Sequence, residues 1–563
     1  VRAARRFGWT LFGVAVAGFV VRLVAVATIG RVDPTAGDGY YYHQQANFLA
    51  KGHWFVDPYV WRTSGRLIPG NAHPPLWTVW LALSSVMGGS SYRAHKTMAC
   101  LAGALLVVAL GLLVRELAGR RAGLIAAVLA AIYPPFWIID GLLMPEELYA
   151  ATVAFVLLLA YRWRRTPTLA WAAALGAMLA VSSLTRAEVI ALAPLLVLPL
   201  ILLRRTIPVR ERLKQLVVCG ATCALLLSPW VVRNARDFHR FEPVSTNGDE
   251  LFVYANNPIA YGTDTRPIVC TNPSGIVQHP LGRRIDPSNG SFLGYWSFNW
   301  EEYLRCMHGE PPGDVSDKAL YWRHQGIEYA RGHAGRLPVV LAARVGRTWE
   351  VYQPFQNASL ARLEGRTQWV SDLGLWAYWV LLLASVGGLT TLRRRHVAVW
   401  PVVTLAVLVT LTSMYAYGDE RFRLPLDVAV VALAAVALDA LWRRLRPRAP
   451  EEVAPQEPDF VPAVGVAPLH RRAADRVRHV DVTTAAVVGV VVLAVLIPLR
   501  GLLLHPGAPM EEGFMLAFPE RVLHGAIPNR DFLHLYGPGS LWALAGTYWL
   551  FGVRLVVERL FGF

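Results

Sequence analysis

Val1-Arg2-Ala3-Ala4-Arg5-Arg6 leads directly into an apolar run from about Phe7 to Ile29, and Gly37-Asp38-Gly39-Tyr40-Tyr41-Tyr42-His43 follows shortly after. Arginines at positions 2, 5 and 6 hold the N-terminus on the cytoplasmic side, so the run crosses outward and residues 37–43 emerge just beyond the membrane. The run is too long for a signal-peptide core and has no small-residue cleavage site, so it reads as a retained span. An acid between two glycines at a bilayer surface is exposed, mobile and poorly neutralised. It is well placed for chemistry on a lipid-borne substrate.

Composition fits that start. With 54% hydrophobic and 17% charged residues and a mean hydropathy of +0.37, the chain carries many runs of spanning length and reads as an all-α polytopic membrane protein. The net charge of +16 does not point to nucleic acid, because arginine pairs sit at the ends of apolar runs as the positive-inside bias requires. Five cysteines are too few for a disulfide framework. Cys270 and Cys306 fall in one predicted outside loop and are candidates to pair, while Cys100, Cys219 and Cys223 lie in or beside apolar segments.

The charges set the direction of each crossing. Residues 30–73 form an outside loop, and Ala72-His73-Pro74-Pro75-Leu76 opens an apolar stretch to about Ser90. Arg115, Arg120 and Arg121 mark one cytoplasmic turn, Arg162, Arg164 and Arg165 the next, and Arg204 to Lys214 a third. The helix near 97–116 must then run inward, so 75–90 is expected to lie at the outer surface rather than cross. Crossings follow near 121–138, 148–163, 168–184, 187–203 and 214–231, then a polar outside region over 232–370, then crossings near 372–392, 397–414 and 425–442.

Residues 1–448 thus read as one transmembrane unit and 449–478, rich in Pro, Ala, Glu and Arg, as a cytoplasmic linker. Residues 479–563 resemble the beginning again. Met510-Glu511-Glu512-Gly513, Leu523-His524-Gly525 and Tyr536-Gly537-Pro538-Gly539-Ser540-Leu541-Trp542 follow the order of Asp38-Gly39, Ala50-Lys51-Gly52 and His73-Pro74-Pro75-Leu76-Trp77. The expectation is a partial second unit, its first span and first outside loop.

Three outside turns carry the chemistry. The first holds Asp38, with His43 about one helical turn on. The second is Leu143-Met144-Pro145-Glu146-Glu147, where paired carboxylates near hydrocarbon are costly unless partnered or functional. The third is Tyr417-Gly418-Asp419-Glu420-Arg421-Phe422-Arg423-Leu424-Pro425, which brings two arginines to the same surface. Carboxylates facing guanidiniums suit transfer from a lipid phosphate: a carboxylate takes the acceptor proton and arginine stabilises the departing phosphate. A divalent cation, Mg or Mn, would use Asp38, His43 or Glu146. Each residue also has a plain structural reading. Asp38 can start a turn, Glu146 and Glu147 can favour a helix N-terminus, and Arg421 and Arg423 can anchor at headgroups. His43 can be a hydrogen-bonding neighbour, His73 can cap the helix opened by Pro74, Tyr40 to Tyr42 can be interfacial, Arg186 can pair with Glu188, and Arg22 can snorkel or pair.

The acidic first outside loop, His73-Pro74-Pro75-Leu76, the acidic second turn, Leu184-Thr185-Arg186-Ala187-Glu188 and Pro229-Trp230-Val231-Val232-Arg233-Asn234 together resemble the GT-C glycosyltransferases. Ser245-Thr246-Asn247-Gly248 and Arg421-Phe422-Arg423-Leu424-Pro425 also fit, and the likeness is to the branch of protein O-mannosyltransferases and the lipid A aminoarabinose transferase. It covers about 1–445. The resemblance implies a polyprenyl-phosphate sugar donor, inversion at the anomeric carbon, and a glycan, lipid or protein acceptor, in a bacterial plasma membrane with the active site on its outer side. Asp38 matches the family's catalytic base, Glu146 or Glu147 its second acidic site, and Arg421, Arg423 and Arg186 are candidates for the donor phosphate, with Tyr40, His43 and His73 contacting substrate. Relatives often have Asp-Glu where this chain has Asp38-Gly39, which weakens the case for a metal there. A transporter or lipid-carrier flippase, or a non-catalytic glycan-binding scaffold, are the competing classes; the acidic groups gathered at one surface favour the enzyme over a transporter.

Overall fold

The computed structural model describes residues 2–262, 292–297, 299–445, 517–528, 530–531, 538–554 and 557–558. They fall into two units, one of Val1–Glu350 and Pro354–Glu451 and one of Val351–Gln353 and Glu452–Phe563. The regular structure among the first unit's described residues is helical, apart from a single antiparallel bridge between Val56 and Pro69. Its main elements are α1 (Arg2–Thr28), α2 (Gly37–Ala50), α3 (Leu76–Val86), α4 (Tyr92–Ala118), α5 (Arg120–Ile132) and α6 (Glu146–Arg165). The chain continues through α7 (Leu169–Ser183), α8 (Val209–Asp237), α9 (Asn247–Ala255), α10 (Gln368–Arg394), α11 (Trp400–Tyr415) and α12 (Leu424–Leu445), with further helices between.

Segments Arg5–Thr28, Tyr92–Ala118, Val209–Asp237, Gln368–Arg394 and Glu420–Leu445 are long and apolar enough to cross a membrane. The chain is an all-α polytopic membrane protein. α3, at 11 residues, rises only about 16 Å against a hydrocarbon core of about 30 Å. It is too short to cross, as the charge pattern required. Other expected crossings take forms that hydropathy alone did not indicate. α7 and α11 have 15 and 16 residues, so each is shorter than the core. The stretch predicted at 121–138 breaks after Ile132 and turns by 63° into Pro134–Leu142, because Pro134 and Pro135 cannot continue the hydrogen-bond ladder. The stretch at 187–203 is likewise divided by Pro194 and Pro199 into short turns.

The core joins α4, α5, α6 and α12 through Leu106, Leu110, Ala126, Ala130, Val153, Leu157, Val428 and Ala432, all fully buried. Small side chains let these backbones close together. On α10, a Cβ at Gly388 would stand 1.9 Å from the Leu433 carbonyl oxygen, so only glycine permits that crossing. Between α9 and α10, buried Arg344 donates to the carbonyls of Ala255 (2.6 Å) and Met414 (3.1 Å). It thereby ties the end of α9 to the end of α11 and fixes where residues 416–423 begin.

In the second unit, Pro538–Phe551 is helical, and a helix over 517–523 ends at His524-Gly525. There the amides of His524, Gly525 and Ala526 bond back to Glu520 and Arg521, Val522, and Arg521. Lys51, Gly52 and His53 close α2 with the same pattern, and Gly525 (φ +88°) matches Gly52 (φ +85°). The linker at 449–478, the apolar run near 481–504, Glu511, Glu512 and Cys270 lie outside the described residues. Cys306 is disulfide-bonded, and Cys100, Cys219 and Cys223 are free and buried.

Candidate active site

The first loop presents Asp38 in the opening turn of α2, where the helix dipole favours an anion. Gly39 makes the position possible. A Cβ there would meet the Leu142 carbonyl at 2.2 Å, so the glycine lets α2 abut the turn that carries Glu146. A side chain larger than that of glycine has no room at position 39.

Arg421 is the hub. Its Nη2 donates to Asp38 Oδ2 at 2.8 Å, its Nε to Glu146 Oε1 at 3.1 Å and its Nη1 to Glu364 Oε1 at 3.4 Å. Asp419 caps the turn that carries it, accepting from the Arg421 amide at 2.9 Å. Glu146, fully buried, also takes Arg186 Nη1 at 2.7 Å, and Arg186 Nε reaches Glu188 at 2.8 Å. Arg366 bonds Glu364 at 2.9 Å and Glu420 beside it. His73 Nε2 faces Asp38 Oδ1 at 3.5 Å. Burial alone would raise the Asp38 carboxyl, but the charges of His73 and Arg421 outweigh it and hold the group well below the usual carboxylate range. Glu364 moves the other way, pushed up by burial and by the charge of Asp419.

Of the residues singled out in the sequence, Asp38, His73, Glu146, Arg186 and Arg421 come together. The rest are set apart. Glu147, next to Glu146 on a helix and so turned about 100° away, faces a buried pair in which Arg22 Nη1 donates to Asp140 Oδ2 at 2.8 Å. Arg423 is buried against Tyr378, bonds Asp427 at 3.0 Å and faces Glu350 at 3.3 Å, so it does not share the Asp38 cluster. Tyr40 packs on Tyr59 beneath Arg62, and it is Tyr41 and Tyr42 that hold the His73 ring. His43 turns to α4, stacked on Tyr92 at 3.6 Å with Nδ1 at 3.0 Å from His95 Nδ1, and burial lowers it to about 4. Glu364, Arg366 and Glu420 were not singled out for this cluster. The signal available was a run of charges, Arg362, Glu364 and Arg366, directly before the apolar start of α10.

Whether these residues suit a divalent cation is decided by their partners. Asp38 Oδ2, Glu146 Oε1 and Glu364 Oε1 already bind Arg421, and Asp38 Oδ1 faces His73, so this arrangement does not fit a metal. Among the described residues the one trio with metal-ligand spacing is His239, Asp314 and Asp317, and Arg240 already bonds Asp317 at 3.0 Å. Beside the cluster, a narrow cleft is lined by Arg366, Glu420, Arg423 and Asp427 on its polar side and by Pro135, Ile139 and Val370 on its apolar side.

Residues 72–232 match the family described as dolichyl-phosphate-mannose-protein mannosyltransferase. The matched stretch contains His73, Glu146, Arg186 and Arg233, while Asp38 and Arg421 lie outside it. The chain is similar to the Archaeoglobus fulgidus oligosaccharyltransferase in complex with Zn and sulfate (15% identity, 77% of this chain and 49% of that one, TM-score 0.45). It is similar also to AglB of the same organism with an inhibitory peptide and a dolichol-phosphate (13% identity, 98% and 63%, TM-score 0.47). A third likeness is to ArnT from Cupriavidus metallidurans bound to undecaprenyl phosphate (17% identity, 78% and 80%, TM-score 0.35). The chain spans 49% and 63% of those two oligosaccharyltransferase chains. No curated protein sequence matches it.

Proposed function

We propose that the chain moves a sugar, mannose or a pentose, from a polyprenyl-phosphate donor to a hydroxyl of a protein, glycan or lipid acceptor. Transfer takes place at the outer surface of the membrane and inverts the anomeric carbon. The observation that carries this reading is the convergence of Asp38, Glu146, Arg186, Glu364 and Arg421, from distant segments, on one partly open cluster. The acceptor oxygen attacks the anomeric carbon from the face opposite the phosphate, and the bond to the phosphate oxygen breaks with its electron pair. Arg421 is the cation at hand for that charge, and Asp38 borders the place where the acceptor hydroxyl releases its proton. The cleft along Pro135, Ile139 and Val370 offers the carrier lipid an apolar approach to the arginines.

In this reading 479–563 begin a second unit of the same kind, supported by the shared helix closure at Gly52 and Gly525. The test of function uses purified protein in lipid vesicles with polyprenyl-phosphate mannose and a panel of hydroxyl acceptors. Asp38→Asn is expected to abolish transfer while folding and insertion persist, and full activity in that variant would refute the assignment. Translocation of the donor without transfer would identify a flippase instead.

A further inference from the structure

The groups around Asp38 differ in how well they can keep the proton that transfer releases. Asp38 is poorly suited. Its Oδ2 takes Arg421 at 2.8 Å and its Oδ1 faces His73 at 3.5 Å, and a carboxylate held ionised by a guanidinium is a weak base. His73 is arranged differently. It precedes Pro74-Pro75 at the head of α3, its ring lodged against Tyr42 (4.8 Å) and edge-on to Tyr41 (5.0 Å). With Nε2 turned to a carboxylate, the proton of the neutral ring belongs on Nε2 and the lone pair on Nδ1. Asp38 is its one ion-pairing partner among the described residues, and the side chain is 13% exposed.

We propose that His73, through Nδ1, takes the proton from the acceptor hydroxyl, while Asp38 stays ionised and steadies the imidazolium. This rests on the glycosyl-transfer reading and names the atom that reading leaves open. The bond from the acceptor oxygen to the anomeric carbon forms as the bond to the phosphate oxygen breaks. The leaving electron pair stays on the phosphate beside Arg421. The acceptor O–H bond breaks, its electrons remain on oxygen and its proton goes to Nδ1, from which solvent removes it. The charged and titratable groups around the ring are Asp38, Tyr41 and Tyr42 of α2 and Arg421 beyond Asp38, with Glu146 of α6 and Arg186 behind Tyr42. This division of labour, a carboxylate that orients and an imidazole that accepts, is a recurring solution to moving a proton near neutral pH.

Three variants of the full chain in vesicles, assayed with polyprenyl-phosphate mannose across pH, separate the possibilities. His73→Gln is expected to slow turnover about 100-fold and leave the donor KM within about twofold. His73→Lys supplies a fixed positive charge but offers no base near neutral pH, and is expected to be equally slow. Wild-type turnover in His73→Lys overturns the proposal, because the residue then acts as a charge. A slow Asp38→Asn beside an undisturbed His73→Gln also overturns it, and leaves the glycosyl-transfer reading standing; full activity in Asp38→Asn overturns both. A readout independent of turnover is the ¹⁵N-histidine spectrum of the wild-type protein, with His73→Gln identifying the signal. The expected tautomer has Nε2 protonated and Nδ1 bare, and the opposite tautomer refutes the assignment.

Discussion

The ion pair between Glu146 and Arg421 makes the most demanding prediction, because its partners lie 275 positions apart in sequence and Glu146 is fully buried. At 3.1 Å and an effective dielectric near 20 the attraction is about 5 kcal/mol, and the Arg186 contact at 2.7 Å adds about 6. Much of that offsets the cost of taking the charges out of water, so these are gross figures. Removing one partner of a buried pair costs about 3–5 kcal/mol, because the other charge remains. In Arg421→Gln, Glu146 keeps Arg186 and Asp38 keeps His73. In Glu146→Gln, two guanidiniums that shared one carboxylate oxygen face each other without it. Each single variant is expected to lose about 3 kcal/mol. The double variant is expected to lose less than the sum by at least about 1.5 kcal/mol. Unfolding by sodium dodecyl sulfate in mixed micelles, followed by tryptophan fluorescence, measures all four corners of the cycle. Additivity within about 0.5 kcal/mol would mean that the two side chains do not meet, and the cluster as described would be wrong.

Gly39→Ala places a Cβ 2.2 Å from the Leu142 carbonyl, so α2 must shift, with an expected cost of about 1–3 kcal/mol and a large loss of sugar transfer; unchanged activity would mean that α2 is not held there. Asp38 gives a pH dependence of definite sign. Its folded carboxyl lies below its unfolded value, so the folded state binds fewer protons, and the contribution to stability is full above about pH 4 and is lost as pH falls through the folded value. Asp38→Asn should therefore flatten the acid side of the stability profile, and a profile identical to wild type down to about pH 2 would contradict the pairing with Arg421. Trp77→Phe keeps an aromatic ring but removes the indole N–H that donates to the Leu143 carbonyl at 2.8 Å. The expected cost is about 1–3 kcal/mol, with a fall in transfer larger than for Trp80→Phe, whose indole bonds Met98 instead.

Residues whose role follows from charge near an apolar boundary were legible in the sequence. Asp38, Glu146, Arg186 and Arg421 each sit at the end of a hydrophobic run, where a charge is unexpected unless it has a partner. The sequence cannot say which way a helix turns. Glu146 and Glu147 are equivalent as text, yet one joins the arginines and the other joins Asp140 and Arg22. Arg421 and Arg423 separate for the same reason, since residues two apart in a tight helical turn point to different sides. His43 was expected beside Asp38 on one face of α2. It instead follows Tyr92 and His95 on α4, contacts made by a helix packed from elsewhere. Glu364 and Arg366 lie in the polar stretch before α10, where charges are common and periodicity gives no orientation.

What holds the cluster in register is the turn between Tyr133 and Glu146 rather than the long helices. Leu143 stands there in the left-handed region at φ +58°, a conformation that costs of order 1 kcal/mol or more and persists only where surroundings enforce it. The enforcement is visible on every side. Trp77 holds the Leu143 carbonyl, Arg22 on α1 holds the Phe136 carbonyl (2.5 Å) and Asp140, and Gly39 on α2 packs against Leu142. Arg22 is an ionised group on a spanning helix and fully buried, a placement that is expensive unless the charge is paired. Its partners are on this turn, so the energy that keeps α1 docked is the same energy that fixes the approach of Glu146 to Arg421. A charge inside the first span and a charge in the Asp38 cluster are in this way two ends of one constraint. Asp38 reaches Arg421 because the turn between them cannot relax.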